Sequence, residues 1–219
     1  KNLTWSSNNE KVAKVDGNGK VTAISNGTAT ITVATENGKT AECKVTVQTS
    51  PTKVILNENK ITLDIAEEKE KQLQATIEPE TANVKTKLTW SSNNEKVAKV
   101  DGTGKVTAIS NGTATITVTT ENEKTASCEV TVQTSPTEVT LNKTEVTLDM
   151  SAEELKRQDE KSELINQVDL VATIGPETAN INKILTWASE KEKVANVDGN
   201  GKVTAISNGT ATITVATEN

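Results

Sequence analysis

Few residues of this chain could carry out chemistry. Its 219 residues include no His, Tyr or Phe, and only two Cys and three Trp. Without His, the chain has neither a Ser-His-Asp nor a Cys-His nucleophile system, and no histidine metal site. The paired carboxylates Glu67-Glu68 and Glu153-Glu154 could act as general acid and base, but they lie in Lys-interleaved stretches typical of a solvated face. We therefore predict no catalytic residue, no cofactor and no enzymatic activity.

One turn sequence resembles the start of a calcium-binding loop. Asp16 is followed by Gly-Asn-Gly, but a second copy of the segment, beginning at Asp101, has Thr in place of the Asn. No Glu follows at the distance that such a loop requires. A tight turn is therefore the favoured interpretation, and no metal site is predicted.

Composition and charge argue against several classes of partner. The net charge is −6, and counterion release from a phosphate backbone requires clustered Lys and Arg. With three Trp as the only aromatic residues, base stacking on single-stranded nucleic acid is disfavoured. No apolar run approaches the roughly 20 residues that cross a bilayer. We expect no nucleic-acid partner and no membrane span in this sequence.

The sequence repeats itself. Residues 3–37 and 88–122 differ at two of 35 aligned positions, and residues 185–219 differ from 3–37 at four. The first offset is 85 residues and the second is 97. A period of this length is enough for a small autonomous domain, whereas a solenoid has shorter periods. We therefore predict separate domains in tandem.

Two identical, Pro-containing segments, residues 48–52 and 133–137, are the predicted linkers, because Pro restricts its own backbone and that of the residue before it. On this interpretation residues 1–49 are the C-terminal half of one domain. Residues 50–134 form a complete domain, and residues 135–219 form a third that lacks its last strand.

Alternation of apolar and polar residues with a period of two predicts strands. Ala114, Ile116 and Val118 alternate with Thr, a β-branched residue that occurs 37 times in the chain. Turn signals such as Asn111-Gly112 recur at roughly the 8–12-residue spacing of a Greek-key sandwich. The predicted fold class is all-β: tandem immunoglobulin-like β-sandwiches.

Each repeat has one Trp, and two repeats have one Cys. Trp5, Trp90 and Trp187 each follow a Leu on the same strand face, which favours a structural core over a sugar-stacking platform. Cys43 and Cys128 occupy the same repeat position, so neither has a partner within its own domain. We predict that they are small buried hydrophobes; a reactive or intermolecular thiol is the alternative.

The third repeat contains an insertion. It carries 12 more residues between Leu148 and Ala172 than the second repeat has at the same place. A capping-box pattern followed by a run without Gly or Pro predicts a short surface helix near 151–166. The helix is either an insertion without a specific role or a site that contacts a neighbouring domain, subunit or ligand. The possible contact residues are Ser151, Glu154, Leu155, Leu164 and Ile165.

Several segments together resemble the bacterial immunoglobulin-like domain, group 2. They are residues 90–94, 97–101, 104–108 and 112–118, with an opening at 54–57 and a closing strand at 128–132. The resemblance implies an extracellular β-sandwich used as a repeated module on bacterial surfaces, in intimin- and invasin-like adhesins and in phage virions. It implies no shared catalytic site.

The near-identity of the repeats favours a structural function, since distance, stiffness or multivalency can be supplied by interchangeable domains. We expect a repeated Ig-like rod or stalk of a bacterial surface protein, filament or virion appendage, located outside the cell. The alternative is an adhesin domain that binds a surface glycan or a host protein. Neighbouring Ig-like domains of the same or another chain are the expected partners.

The incomplete first and third repeats suggest a further hypothesis. Open sheet edges pair readily with other strands. Subunits could complete one another head to tail, or the sequence could be an excerpt of a longer array whose neighbours supply the strands. The second option is favoured by the offsets between the repeats.

Overall fold

The computed structural model describes residues 2–150 and 166–217. Within this part of the chain every regular element is a β-strand and there is no helix. The all-β prediction is therefore confirmed. The helix predicted near 151–166 falls on residues 151–165, which lie outside the described residues.

The chain divides into two compact units whose limits differ from those of the repeats. The first unit comprises Lys1–Ile61, Glu70–Thr107 and Ala114–Val130, and the second comprises Thr62–Lys69, Ala108–Thr113 and Thr131–Asn219. Each unit contains a segment that joins two consecutive repeats. The domain limits given above stay a prediction.

The first unit opens with the strands of the first repeat: β1 Leu3–Ser7, β2 Ala13–Val15, β3 Val21–Ala23, β4 Gly27–Thr35 and β5 Thr40–Val47. β4 pairs with β1 on one side and β5 on the other, both antiparallel, and β2 and β3 form a separate hairpin. Val12, Ala13 and Ala29 form a buried cluster against which Val45 and Val47 pack.

The second repeat supplies nine strands: β6 Lys53–Leu56, β7 Lys60–Asp64, β8 Glu70–Gln72, β9 Ala75–Glu78, β10 Leu88–Ser92, β11 Ala98–Val100, β12 Lys105–Ala108, β13 Gly112–Thr120 and β14 Thr125–Gln133. They form one sheet in the order β10-β13-β14-β7, a second in the order β11-β12-β8, and the pair β6-β9. Along β13, Ala114, Ile116 and Val118 are buried and the Thr residues between them are half-buried. The predicted period of two is therefore the burial pattern of this strand.

The second unit contains the strands of the third repeat: β15 Glu138–Leu141, β16 Gln167–Asp169, β17 Ala172–Gly175, β18 Leu185–Ser189, β19 Ala195–Val197, β20 Lys202–Ala205 and β21 Ile213–Thr217. β15 pairs with β17, β20 lies between β16 and β19, and β18 pairs with β21. Leu170, Ala179 and Val203 are buried in this unit.

The three repeats share one strand register. Trp5 lies opposite Val33, Trp90 opposite Val118, and Trp187 opposite Val215. A slip of one residue would turn every side chain of the strand to the other face. The repeated sequence therefore reproduces the same pairing each time.

Each Trp side chain is half-buried against a glycine in a turn. The three glycines, Gly19, Gly104 and Gly201, have φ values of 82°, 88° and 86°. A Cβ atom on Gly104 would lie 2.7 Å from Cζ2 of Trp90 and 2.7 Å from the carbonyl oxygen of Leu73. Glycine is required here both for the backbone conformation and for the close approach of the indole.

The Asp that opens each of these turns is used by the turn itself. Asp101 Oδ1 accepts hydrogen bonds from the amides of Thr103 at 2.8 Å and Lys105 at 3.0 Å, and Asp16 and Asp198 accept the same pair in their copies. The Thr103 hydroxyl, which also donates to Asp101 Oδ1 at 2.7 Å, is the main cause that holds the pKa of Asp101 below its usual range, with the amides of Lys105 and Thr103 adding to it. At Asp198 the amides of Lys202 and Asn200 lower the pKa. The segment that resembles a calcium loop is a tight turn.

We expect Gly104→Ala to destabilise the second repeat by about 3 kcal/mol, because strained backbone and overpacking each cost roughly 1–3 kcal/mol. Urea unfolding followed by tryptophan fluorescence measures the loss. Gly102→Ala is the matched control, since a Cβ there meets no atom within 4 Å. Equal unfolding midpoints for the two variants would contradict the role assigned to Gly104.

Candidate functional site

The site that recurs in this molecule is the joint between consecutive repeats. At each joint four polar residues form the same set of hydrogen bonds, and we call this set a joint clamp. The first clamp consists of Asn26, Thr49, Thr81 and Asn83, and lies in the first unit. The second consists of Asn111, Thr134, Thr178 and Asn180, and lies in the second unit.

In the second clamp, the Asn111 side chain holds two segments at once. Its Nδ2–H donates to the carbonyl of Thr178 at 2.6 Å, and its Oδ1 accepts from the Thr134 hydroxyl at 2.7 Å. Asn180 then fixes the linker backbone: its Oδ1 accepts from the amide of Thr134 at 2.8 Å, and its own amide donates to the carbonyl of Thr134 at 3.0 Å. The side chain of Thr134 is buried.

The first clamp has the same bonds. Asn26 Nδ2–H donates to the carbonyl of Thr81, and Thr49 donates its hydroxyl to Asn26 Oδ1 at 2.7 Å. The amide of Thr49 donates to Asn83 Oδ1 at 2.9 Å, and the amide of Asn83 donates to the carbonyl of Thr49 at 2.9 Å. Two independent joints therefore use one geometry.

The loop before β4 and its copy before β13 position the clamp Asn. The Asn precedes Gly27 in the first repeat and Gly112 in the second, and these glycines have φ values of 143° and 141°. A Cβ on Gly27 would lie 2.9 Å from Cγ2 of Val12. Since side-chain-bearing residues rarely adopt such φ values, glycine fixes the direction in which the Asn points.

Two signals in the sequence mark the clamps. The Asn111-Gly112 pair predicts a turn, and this is all that local reasoning gives. The residues that bond the clamp Asn lie in a second repeated sequence, Pro-Glu-Thr-Ala-Asn, at residues 79–83 and again at 176–180. This repeat lies outside the 35-residue segments that define the three repeats, and it is the signal in the sequence that marks the partner loop.

The second joint has an additional buried contact, between Asp64 and Ser135. The Ser135 hydroxyl donates to Asp64 Oδ2 at 2.6 Å, and the Ser135 amide donates to Oδ1 at 3.1 Å. The amide of Ala66 donates to the same Oδ1 at 2.9 Å, and both Asp64 and Ser135 are buried. Burial alone raises the pKa of the Asp64 carboxyl, but these hydrogen bonds outweigh it and hold the pKa below its usual range.

The two cysteines are in different environments. Both are free thiols; Cys128 is fully buried, whereas Cys43 is exposed, so the prediction of a buried residue is wrong for Cys43. In the described part of the chain, the strand of Cys43, β5, pairs on one side only, while the strand of Cys128, β14, lies between β13 and β7. Burial, together with the charges of Glu58 and Glu129, raises the pKa of the Cys128 thiol. Cys128 is therefore the less reactive of the two. The predicted contact residues Ser151, Glu154, Leu155, Leu164 and Ile165 lie outside the described residues.

With this geometry in place, the comparison with known proteins identifies the family. The sequence model of the bacterial Ig-like domain (group 2) matches residues 1–45, 46–130 and 165–219. The chain belongs to this family, as the motifs in its sequence predicted.

Two curated relatives are much longer than this chain. One is an uncharacterised protein of Clostridium acetobutylicum, 34% identical over 134 residues, which cover 59% of this chain and 14% of that protein. The other is a lacto-N-biosidase of Bifidobacterium bifidum, 45% identical over 82 residues, which cover 34% of this chain and 7% of that protein.

Two solved structures are also similar to this chain. Domains 1–6 of the surface layer protein SbsC are 18% identical, with 99% of this chain and 29% of that chain covered, at a TM-score of 0.36. A C-terminal fragment of intimin, solved with the intimin-binding domain of its receptor, is 20% identical, with 64% and 54% covered, at a TM-score of 0.35.

Within residues 2–150 and 166–217, no element is a helix with the length and apolar character needed to cross a membrane. In the same residues, no group of three or more His, Cys, Asp or Glu side chains is placed to hold a metal ion.

We expect Asn111→Ala to open the second clamp, because it removes one donor and one acceptor and leaves the buried Thr134 hydroxyl without its partner. An unmade buried hydrogen bond costs about 1–3 kcal/mol. Amide hydrogen exchange at Thr134 and Asn180 should accelerate about 10-fold or more. Asn200→Ala, in an exposed turn of the third repeat, is the control and should leave both amides unchanged.

The Asp64–Ser135 contact should make the second joint sensitive to acid. Because the folded pKa of Asp64 is lowered, its contribution is present above the unfolded pKa of about 4 and is lost as the pH falls through the folded pKa. Ser135→Ala should therefore lower thermal stability at pH 7 and matter progressively less below pH 4.

The control for this titration is Ser50→Ala, the same linker position at the first joint, whose hydroxyl has no hydrogen bond among the described residues. Asp101 and Asp198 also have lowered pKa values, but they titrate equally in the parent and in both variants. A loss from Ser135→Ala that is the same at pH 7 and pH 2.5 would contradict the assignment.

Proposed function

We propose that this chain is a non-enzymatic spacer, a stalk of tandem Ig-like repeats in an extracellular protein of a bacterial surface, filament or virion appendage. The observation that carries the proposal is the identical clamp at both joints. Domains that move independently need no contacts at their linkers. A stalk of fixed direction needs such contacts, and the same set of contacts occurs at both joints of this chain.

The free energy of the clamp hydrogen bonds is comparable to the conformational entropy lost when the linker is ordered, which supports a joint of fixed orientation. Each clamp has four hydrogen bonds, which contribute about 1 kcal/mol each in net terms. Fixing the backbone of two linker residues, such as Thr134 and Ser135, costs about 3 kcal/mol. The clamp therefore offsets the entropy of an ordered linker, and Asp64 adds charge-assisted bonds at the second joint.

The relatives support a function that does not depend on the chemistry of the attached protein. Related segments occur in a lacto-N-biosidase and in an α-L-arabinofuranosidase, and in each they cover 7% of the protein. A spacer can serve many different domains. The Trp side chains, the only aromatic groups from which this chain could build an adhesive surface, are half-buried against glycine.

The proposal is tested by measuring the angular freedom of each joint. Lys14, Lys99 and Asn196 are exposed and occupy the same position of the three repeats. Pairs of spin labels at these positions, placed through Cys in a Cys43→Ser background, report on one joint at a time. We expect pulsed electron paramagnetic resonance to give narrow distance distributions when both clamps are intact.

Asn26→Ala should broaden only the Lys14–Lys99 distribution, and Asn111→Ala only the Lys99–Asn196 distribution. Each variant is therefore the control for the other. Broad distributions in the parent, or no change in either variant, would show that the clamps do not set the direction of the stalk.

A further inference from the structure

The third repeat carries a loop with the geometry of the other two clamp loops. Ser207, Asn208 and Gly209 repeat the Ser-Asn-Gly sequence, and Gly209 has a φ of 148°. The Ser207 hydroxyl donates to the carbonyl of Lys193 at 2.8 Å, as the Ser25 hydroxyl does to the carbonyl of Lys11 at 2.7 Å. The loop therefore has the conformation that presents the Asn side chain.

The clamp Asn of this loop has no hydrogen-bond partner among residues 2–150 and 166–217. Asn26 and Asn111 are half-buried and use both ends of their carboxamides. Asn208 is exposed, and among the described residues its carboxamide makes no hydrogen bond. The loop thus presents one donor, Asn208 Nδ2–H, and one acceptor, Asn208 Oδ1, to solvent.

An exposed Ile beside each loop shows which group the partner engages. Ile24, Ile109 and Ile206 have exposed fractions of 52%, 44% and 53%, although the first two stand next to occupied clamps. The partner of a clamp loop therefore leaves the Ile in solvent. Recognition depends on the carboxamide, which requires a hydroxyl donor and a backbone carbonyl at matching positions.

We propose that residues 207–209 are a docking site for a further Ig-like repeat of this family. The partner supplies the two groups that bond the clamp Asn. One is a linker Thr that donates its hydroxyl to Asn208 Oδ1, and the other is a Pro-Glu-Thr-Ala-Asn loop whose Thr carbonyl accepts from Asn208 Nδ2–H. The inference rests on the proposed function, and it names the partner that residues 207–209 would bind at a further joint.

The test lengthens the chain by a second copy of residues 38–134 after Asn219. The added copy keeps the repeat pattern in register, because residues 185–219 differ from 3–37 at only four positions. Spin labels at Asn196 and at the added copy of Lys99, with Cys43 changed to Ser in both copies, report on the new joint. We expect a narrow distance distribution that Asn208→Ala broadens as much as Asn111→Ala broadens its own joint.

Two controls make the result specific. Asn208→Asp keeps the size of the side chain but removes the donor, and should broaden the distribution as well. Asn200→Ala removes an exposed turn Asn of the same repeat and should not. In the 219-residue chain, Asn208→Ala should leave the unfolding temperature unchanged, since no clamp is present to lose.

The failures are distinguishable. If Asn111→Ala loosens its joint and Asn208→Ala does not loosen the new one, the docking site is wrong and the spacer function stands. If neither Asn26→Ala nor Asn111→Ala has an effect, the proposed function fails first. A second lengthened chain, with residues 123–219 appended instead, repeats the test with the other partner sequence in case the first does not fold.

Discussion

The packing of an indole ring on a glycine turn is the constraint on which each repeat depends. Trp90 on β10 contacts Gly104, in the turn between β11 and β12, which belong to another sheet. The contact is possible only because Gly104 has no side chain and adopts a positive φ. In a chain with no Phe or Tyr, this ring is the largest apolar group available for packing. The three copies of Trp and Gly therefore fix the relation of strand to turn in each repeat.

The joints depend on a different kind of interaction. Their contacts are polar and use backbone groups and carboxamides, so each bond has a defined direction as well as an energy. An apolar contact of similar strength would permit rotation about the linker, because hydrophobic burial is not directional. Asn111 bonds the side-chain hydroxyl of the linker Thr134, and Asn180 bonds the backbone of the same residue. Short, directional bonds of this kind are suited to holding an orientation.

Much of the fold could be predicted from the sequence, because strands follow from local alternation. Ala114, Ile116 and Val118 are buried as their spacing predicts, and the repeated register follows from the repeated sequence. The clamps could not be predicted in the same way. Asn111 contacts Thr178, 67 residues away, and only the folded chain shows that a turn Asn and a distant loop meet. The buried pair of Asp64 and Ser135 is likewise separated by 71 residues.

The same geometry explains why the residues of the joint recur in each repeat. To be joined on both sides, a repeat must have an Asn-Gly loop for one neighbour and a linker Thr with a Pro-Glu-Thr-Ala-Asn loop for the other. The second repeat, together with the linker before it, has both, with Thr49, Thr81 and Asn83 engaged on one side and Asn111 on the other. A change in either half would have to be matched in the next repeat, whereas identical copies always match. A repeat that carries both halves can therefore be followed by a copy of itself with the same four hydrogen bonds at the joint.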